Sequence, residues 1–457
     1  MNRENKKKEF EKGYYKTHAC EEVFTCKVCG REVIPEGAGS DHRNHCPNCL
    51  CSLHVDIEPG DRESDCGGIM DPIAVWVRKN GEWAIIHRCR RCGALSSTVF
   101  LTWACNLRCV YCFQNRDHSA ASMNLEMAKR YINFLQKTAI QKRIENIYIT
   151  LFGGEPLLNF DVGLYILDNM KNFCDELEIR FGCGIITNGT LLTNKIVDKL
   201  IQYSCDYIQI TLDGVQSVHD KRRIDVHGHG SYADTIKAIK LLNTIKETHT
   251  VIRINIDKTN LESTYELLDE IGKKGLNLTK CHVDFGIVKS SSSACSGYAP
   301  NCLSKDEAGD VLVDLWKYAE LNGFRYHIKP NRCFLYCGLC RDNSHSFLPD
   351  GSVYKCWEHA GLPEHLMGRI DERGVFVDQT PAFYRWMTAD PLNNKVCKDC
   401  AYLPVCGGGC GVLCYNASGT YDQGGCCGDR IGIEKEILRF VNSQLKRQSK
   451  ISAGGNS

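Results

Sequence analysis

The stretch Cys105-Asn-Leu-Arg-Cys109-Val-Tyr-Cys112 follows directly on an apolar run, Thr98–Trp103, and decides how the chain is read. Its three cysteines stand at C-x3-C-x2-C spacing. A [4Fe–4S] cube is ordinarily held by four thiolates, one to each iron. Three thiolates this close ligate three irons and leave the fourth with an open coordination position. A zinc site or a four-cysteine ferredoxin cluster is the alternative use of such a triplet, because short cysteine motifs recur.

At 457 residues the chain has room for two to four domains of about 150 residues each. A formal net charge of +1 gives no overall field that attracts nucleic acid or an anionic membrane. No apolar run reaches the roughly 18 residues of a membrane helix. The start, Met1-Asn-Arg-Glu-Asn-Lys-Lys-Lys-Glu-Phe, mixes both charges and lacks the apolar segment of a signal peptide. A cytoplasmic protein without a membrane or nucleic-acid partner is expected. The 29 cysteines cluster at 20–92, 105–112, 333–356 and 397–427, and in a reducing compartment that wealth points to metal rather than disulfides. Cys174, Cys183, Cys205 and Cys281 stand alone within helix or strand patterns and read as small buried apolar residues.

Residues 1–22 form a polar leader, and a metal-binding module is expected over 23–95. It carries three C-x2-C knuckles, Cys26/Cys29, Cys46/Cys49 and Cys89/Cys92, with Cys66 between them. Paired knuckles set thiolates at tetrahedral spacing for structural zinc. One or two zinc ions are expected among these seven cysteines, with the pairing open. His45, His54 and His87 are further possible ligands, each read first as a surface or supporting histidine. The stretch Arg43-Asn-His-Cys-Pro-Asn-Cys-Leu, with Pro59-Gly-Asp-Arg and Cys66-Gly-Gly-Ile-Met after it, resembles the RNHCP domain. That resemblance implies a zinc-ribbon-like module.

From 96 to about 325, β-like and helix-like patterns alternate. Apolar or β-branched runs fall at 97–102, 147–152, 184–187, 207–212, 251–256 and 282–288. A helical pattern over 124–138 puts Leu125, Ala128, Ile132 and Leu135 on one face. Ser304 with Glu307 reads as a capping box. Alternation of this kind predicts an α/β fold with parallel strands and right-handed crossovers. Six strands make a partial (β/α)6 TIM-like barrel, and functional groups in such barrels gather at the carboxyl ends of the strands.

The cysteine triplet, with the aromatic Tyr111 before its third member, resembles the cluster loop of the radical S-adenosylmethionine (SAM) superfamily. In that family the open iron chelates the amino and carboxylate groups of SAM. The resemblance extends to Gly153-Gly154-Glu155-Pro156, which it assigns to the methionine amino group, and to Thr211 and Arg223, which it assigns to the carboxylate. Asn188 is the candidate for the ribose, and Tyr111 joins the cofactor-binding set. Arg222 rivals Arg223 for the carboxylate, and one of the two reads as a solvated surface charge.

A second cysteine field spans 326–432: Cys333, Cys337, Cys340, Cys356, then Cys397-x2-Cys400-x5-Cys406-x3-Cys410, then Cys426-Cys427. This ladder resembles the SPASM extension of peptide-modifying radical SAM enzymes, which implies two auxiliary [4Fe–4S] clusters. Carried over, Cys340, Cys356 and Cys410 with Cys333 or Cys337 hold the first. Cys397, Cys400, Cys406 and one of Cys426 or Cys427 hold the second. Zinc on the Cys397–Cys410 run is the alternative.

These resemblances imply a peptide or protein maturase that cleaves SAM reductively to a 5′-deoxyadenosyl radical, with a flavodoxin or ferredoxin as electron donor. Sulfatase maturases share the extension but generally place an Asp after the cysteine that Cys356 matches. Here Trp357 follows, a departure that favours a thioether or carbon–carbon cross-link in a ribosomal peptide over formylglycine formation. Glu358 is the candidate general base. A metal-rich binding module without radical catalysis is the reading from another class, and 5′-deoxyadenosine formation separates the two. A closing helix is expected over 433–448, followed by a tail to 457.

Overall fold

The computed structural model describes residue 18 and residues 23–34, 45–55, 66–77, 83–90, 94–114, 121–276, 281–289, 293–324, 341–389, 394–421, 432–442 and 445. The chain divides into two units: one of residues up to Leu95 with Gln136–Ile147 and Cys174–Arg180, the other of the remainder.

In the first unit, β1 (Phe24–Thr25) pairs antiparallel with β2 (Glu32–Val33). Then β3 (Ser52–Leu53), β4 (Ile69–Val77) and β5 (Trp83–Cys89) form a three-stranded antiparallel sheet in the order β3-β4-β5. The register shifts between Pro72 and Ala74, where a proline without an N–H leaves the ladder one donor short. Phe24, Val33, Leu53 and Val55 pack with Cys26 and Cys46 into one small core.

The second unit carries the barrel. Its elements run β6 (Leu95–Thr102), α1 (Leu125–Gln141), β7 (Asn146–Gly153), α2 (Phe160–Glu176), β8 (Arg180–Thr187), α3 (Asn194–Gln202), β9 (Cys205–Thr211) and α4 (Gln216–Arg222). They continue as α5 (Tyr232–Asn243), β10 (His249–Ile256), α6 (Leu261–Lys273), β11 (Cys281–Ile287) and α7 (Lys305–Leu321). Neighbouring strands in space are neighbours in sequence, in the order β11-β10-β9-β8-β7-β6, with β8–β9, β9–β10 and β10–β11 parallel. All six expected strands form.

Alternation along each strand divides its side chains between two faces. Ile147, Ile149 and Leu151 of β7, Ile208 and Ile210 of β9, and Ile252 and Ile254 of β10 are wholly buried. The intervening Tyr148, Thr150 and Phe152, Tyr207 and Gln209, and Arg253 and Asn255 line an internal cleft. Helix starts are fixed locally. Thr193 caps α3 by accepting from Ile196 N, and the expected capping box of Ser304 and Glu307 opens α7. Cys174, Cys183, Cys205 and Cys281 are buried as expected.

The sheet does not stop at six strands. β12 (Ser344–Phe347) pairs parallel with β6, and β13 (Ser352–Tyr354), β14 (Gly368–Ile370) and β15 (Phe376–Val377) continue as an antiparallel meander. Among the described residues the sheet therefore has ten strands. Short helices follow: α8 (Pro381–Met387), α9 (Lys395–Lys398), α10 (Leu403–Cys406) and α11 (Gly411–Ser418). Residues 432–442 are helical, within the stretch expected to close the chain as a helix. Among the described residues, no helix is long and apolar enough to cross a membrane.

Candidate active site

The ends of β6 to β10 converge on one cavity of about 140 Å³. Its walls include Cys105, Cys109, Cys112 and Tyr111 from the loop after β6, Gly153 at the end of β7 and Gly154 after it, Asn188 after β8, Thr211 of β9, Arg223 after α4, and Asn255 of β10. Residues expected from four separate stretches of sequence thus meet around a single space.

The loop after β6 is seated against the end of β7 by backbone hydrogen bonds, Gly154 N to Thr102 O at 2.8 Å and Glu155 N to Ala104 O at 2.9 Å. A Cβ on Gly154 would lie 2.3 Å from the Ala104 carbonyl oxygen, so the approach requires glycine. Burial pushes the Cys105 thiol up to about 12 and raises Cys109 as well, the latter opposed by the Arg223 charge. Metal coordination is what would deprotonate such thiols.

Glu155 does not line the cavity. It is wholly buried, and its carboxylate accepts from Leu157 N at 3.0 Å, Thr187 Oγ1 at 2.8 Å and Asn188 N at 2.8 Å. Burial raises its pKa against these bonds. Its task is to lock the end of β8 to the turn after β7. Asn188, expected at a ribose, has its amide engaged by Asn106 Oδ1 at 2.8 Å and by Thr190 N at 2.9 Å, so it also braces the cysteine loop.

Neither arginine of the pair is a surface charge; both are buried, which corrects that expectation. Arg222 pairs with Asp257 at 2.8 Å, donates to Tyr298 and to the Asn255 carbonyl, and lies over the Tyr111 ring at 4.9 Å; its buried Nε has no partner among the described residues, but it does not border the cavity. Arg223 donates from Nη1 to Tyr111 Oη at 2.7 Å, its buried Nε has no partner among the described residues, and its side chain borders the cavity. A buried guanidinium donor without an acceptor, beside three cysteines and a glycine-lined wall, fits the carboxylate of an amino-acid ligand.

Sequence reasoning missed what holds Tyr111. Its hydroxyl donates to Asp213 Oδ2 and accepts from Arg223 and from Asn255 Nδ2, and burial raises its pKa well above the usual range. Asp213 is wholly buried and accepts from Asn255 N at 2.8 Å, while its own N–H donates to His219 Nδ1 at 3.2 Å. Burial, with Arg223 and Arg222 nearby, holds His219 well below the normal imidazole range, so it stays a neutral acceptor. The available signal was a polar residue at the carboxyl end of each apolar strand, Asp213 and Asn255.

Tyr111, Phe113, Phe152, Ile186, Thr211 and Asn255 also border a larger cleft of about 450 Å³. Its remaining wall includes Trp357 and Glu358, which follow β13. Trp357 packs on Phe152 with ring centroids 5.8 Å apart, and Glu358 Oε2 is buried without a hydrogen-bond partner among the described residues.

In the second cysteine field, Cys356 and Cys397 are buried, and Cys400, Cys406 and Cys410 are half-buried. Asn394 caps α9 through Val396 N, and Cys400 N closes onto the Cys397 carbonyl at 3.1 Å. Cys333, Cys337, Cys340, Cys426 and Cys427 lie outside the described residues, as does Cys92. In the first unit, Cys26, Cys29, Cys46 and Cys49 form one close group, and His54, Cys66 and Cys89 form another. His54, expected to be a surface or supporting residue, thus stands among thiols, whereas His87 bonds the Leu50 carbonyl at 2.7 Å.

Comparison with known proteins accords with this geometry. Residues 21–103 match the RNHCP domain family, and residues 99–271 match the radical SAM superfamily. The cysteine-type anaerobic sulfatase-maturating enzyme of Clostridium novyi is 27% identical over 332 residues, 67% of this chain and 84% of that one. The radical SAM cyclopropyl synthase TigE of Paramaledivibacter caminithermalis is 32% identical over 340 residues, covering 67% and 65%. Among solved structures, anSMEcpe with bound AdoMet and Cp18Cys peptide superposes with a TM-score of 0.58 at 18% identity, over 77% of this chain and 98% of that one. Streptococcus suis SuiB bound to S-adenosylmethionine gives 0.51 at 17% identity, over 72% and 76%.

Proposed function

The chain is a radical SAM enzyme of the maturase kind that also carries an RNHCP domain, and from that premise we propose that it cross-links a residue of a ribosomally made peptide through a thioether or carbon–carbon bond. The observation that carries this reading is the shared wall. The cavity beside the cysteine triplet opens, past Tyr111, Phe113, Phe152, Ile186, Thr211 and Asn255, into a cleft large enough for a peptide side chain and its flanks.

Cys105, Cys109 and Cys112 are assigned to a [4Fe–4S] cluster, and the free Nε of Arg223, Thr211 and the backbone of Gly153–Gly154 to the methionine end of SAM. When bound, cluster and SAM supply one-electron cleavage of a sulfonium and a carbon radical that takes a hydrogen atom from substrate. The chain's own residues do the rest. Asp213 and Tyr111 hold the Arg223 guanidinium toward the cavity, and Glu155 and Asn188 keep the cysteine loop seated. Phe152 and Trp357 wall the cleft against water. Glu358, with a buried carboxylate oxygen lacking a partner, is assigned the proton released as the new bond closes. Cys356, Cys397, Cys400, Cys406 and Cys410, with the cysteines outside the described residues, are assigned to two auxiliary clusters, and a flavodoxin or ferredoxin to electron delivery.

Formylglycine formation is a second reading, favoured by the sulfatase-maturating relatives. Trp357 after Cys356 weighs against it. Anaerobic protein with reconstituted clusters, reduced by dithionite, tests both. It is expected to release 5′-deoxyadenosine from SAM and to remove two hydrogens from a peptide that keeps its sulfur. An aldehyde-bearing product supports the second reading, and a sample that makes no 5′-deoxyadenosine overturns both.

A further inference from the structure

We propose that the RNHCP module holds two separate single-ion zinc sites, one of four thiolates and one built on His54, Cys66 and Cys89. Zinc–sulfur bonds of about 2.3 Å in a tetrahedron put the sulfurs about 3.8 Å apart. The sulfurs of Cys26 and Cys49 are 3.5 Å apart, those of Cys29 and Cys46 are 3.6 Å apart, and all four lie within 4.8 Å of one another. A four-iron cube spreads its thiolates more widely than this.

The two knuckles of the first site are built alike. Gly30 N bonds Cys26 O and Leu50 N bonds Cys46 O, while Cys26 N bonds Arg31 O and Cys46 N bonds Cys51 O. Both turns pass through left-handed backbone, at φ of 70° for Gly30 and 59° for Leu50. Leucine tolerates that conformation only where its surroundings impose it. Among the described residues the core beneath is Phe24, Val33, Leu53 and Val55, with Ile69 packed against it, and Cys26 and Cys46 are part of that core, so the thiolates and the fold are built together.

The second site gathers at one end of the β3-β4-β5 sheet. His54 follows β3, Cys66 precedes β4 and Cys89 ends β5. His54 and the Cys66 segment are zipped together by His54 N to Gly68 O at 2.9 Å and Gly67 N to His54 O at 2.8 Å. The sulfurs of Cys66 and Cys89 are 3.5 Å apart, and a ring nitrogen of His54 lies within 4.8 Å of both. One imidazole and two thiolates, brought together by the ends of three strands, make a donor set different from the first, and zinc accepts both.

Metal analysis of the full-length protein tests this apart from the radical chemistry. Two zinc ions per chain are expected, retained after the iron clusters are lost in air. Cys66→Ser and His54→Ala should each remove one ion and leave the other, and Cys49→Ser should remove the complementary one. Should the variants misfold, cadmium-exchanged wild type should give two cadmium resonances, that of the all-sulfur site lying downfield of the other. A single resonance, one zinc per chain, or Cys26–Cys49 and Cys29–Cys46 disulfides by mass spectrometry overturns the proposal. Zinc-free protein that still makes 5′-deoxyadenosine overturns it while leaving the radical reading intact.

Discussion

Gly154→Ala puts the tightest backbone approach of the site to the test. The added Cβ would stand 2.3 Å from the Ala104 carbonyl oxygen and 2.5 Å from that of Trp103. A relaxed carbon–oxygen contact needs about 3.3 Å, so the cysteine loop or the end of β7 has to yield about 1 Å. Both obstacles are backbone, and no side chain can swing aside. The bonds Gly154 N to Thr102 O and Glu155 N to Ala104 O lie in the path of that shift. A misplacement of about 1 Å at a reacting site costs roughly a hundredfold in rate. Gly163→Ala is the matched control, because its Cβ would meet the ends of the Leu101 and Leu151 side chains, which can rotate. The assay is 5′-deoxyadenosine release per iron-loaded protein, with circular dichroism to confirm folding. A Gly154→Ala enzyme that loads iron and turns over within threefold of wild type refutes the seating argument.

The remaining predictions concern the buried polar network. Arg222→Gln takes the cation from the buried Asp257 carboxylate, which keeps hydrogen bonds from Thr259 and Tyr298, and should cost about 3 kcal/mol in denaturant unfolding. Arg223→Gln removes the guanidinium 3.8 Å from buried Asp213 and should likewise cost about 3 kcal/mol of stability, but unlike Arg222→Gln it should also raise the KM for SAM about tenfold. Tyr111→Phe removes the hydroxyl that joins Asp213, Arg223 and Asn255, and should cost about 1–3 kcal/mol of stability together with weaker SAM binding in equilibrium dialysis. For His219 the imidazole pKa is depressed by burial, so the unfolded chain binds the proton more readily. The stability it contributes is therefore present above pH of about 6.5 and is lost below it, at about 1.4 kcal/mol per pH unit. Urea unfolding at pH 7.5 and 5.5 should show wild type losing more stability than His219→Gln over that interval.

The barrel strands were legible because each carries its own alternation: Ile147, Ile149 and Leu151 bury one face whatever the rest of the chain does. The cavity was legible because its motifs sit at strand ends, where the fold gathers them. What could not be read was pairing between distant residues. Nothing near Arg222 announces Asp257, and nothing near Tyr111 announces Asp213, 102 residues away, so one arginine passed for a surface charge. His54 was hidden for the same reason, its thiol neighbours lying across two strands. The continuation of the sheet into β12 rests on four residues, Ser344–Phe347, too few for a period to register. Knuckle pairing needed coordinates as well, since seven cysteines admit many partitions.

The radical chemistry requires that the space beside Cys105, Cys109 and Cys112 be where an amino acid's two ends meet iron. Electron–nuclear double resonance on the reduced protein, given SAM labelled at its amino nitrogen and carboxylate oxygens, measures that directly. Hyperfine coupling from both labels to the cluster spin, lost in Cys109→Ala, is the predicted result. A reduced cluster whose spectrum ignores both labels while SAM is shown to be bound would contradict it.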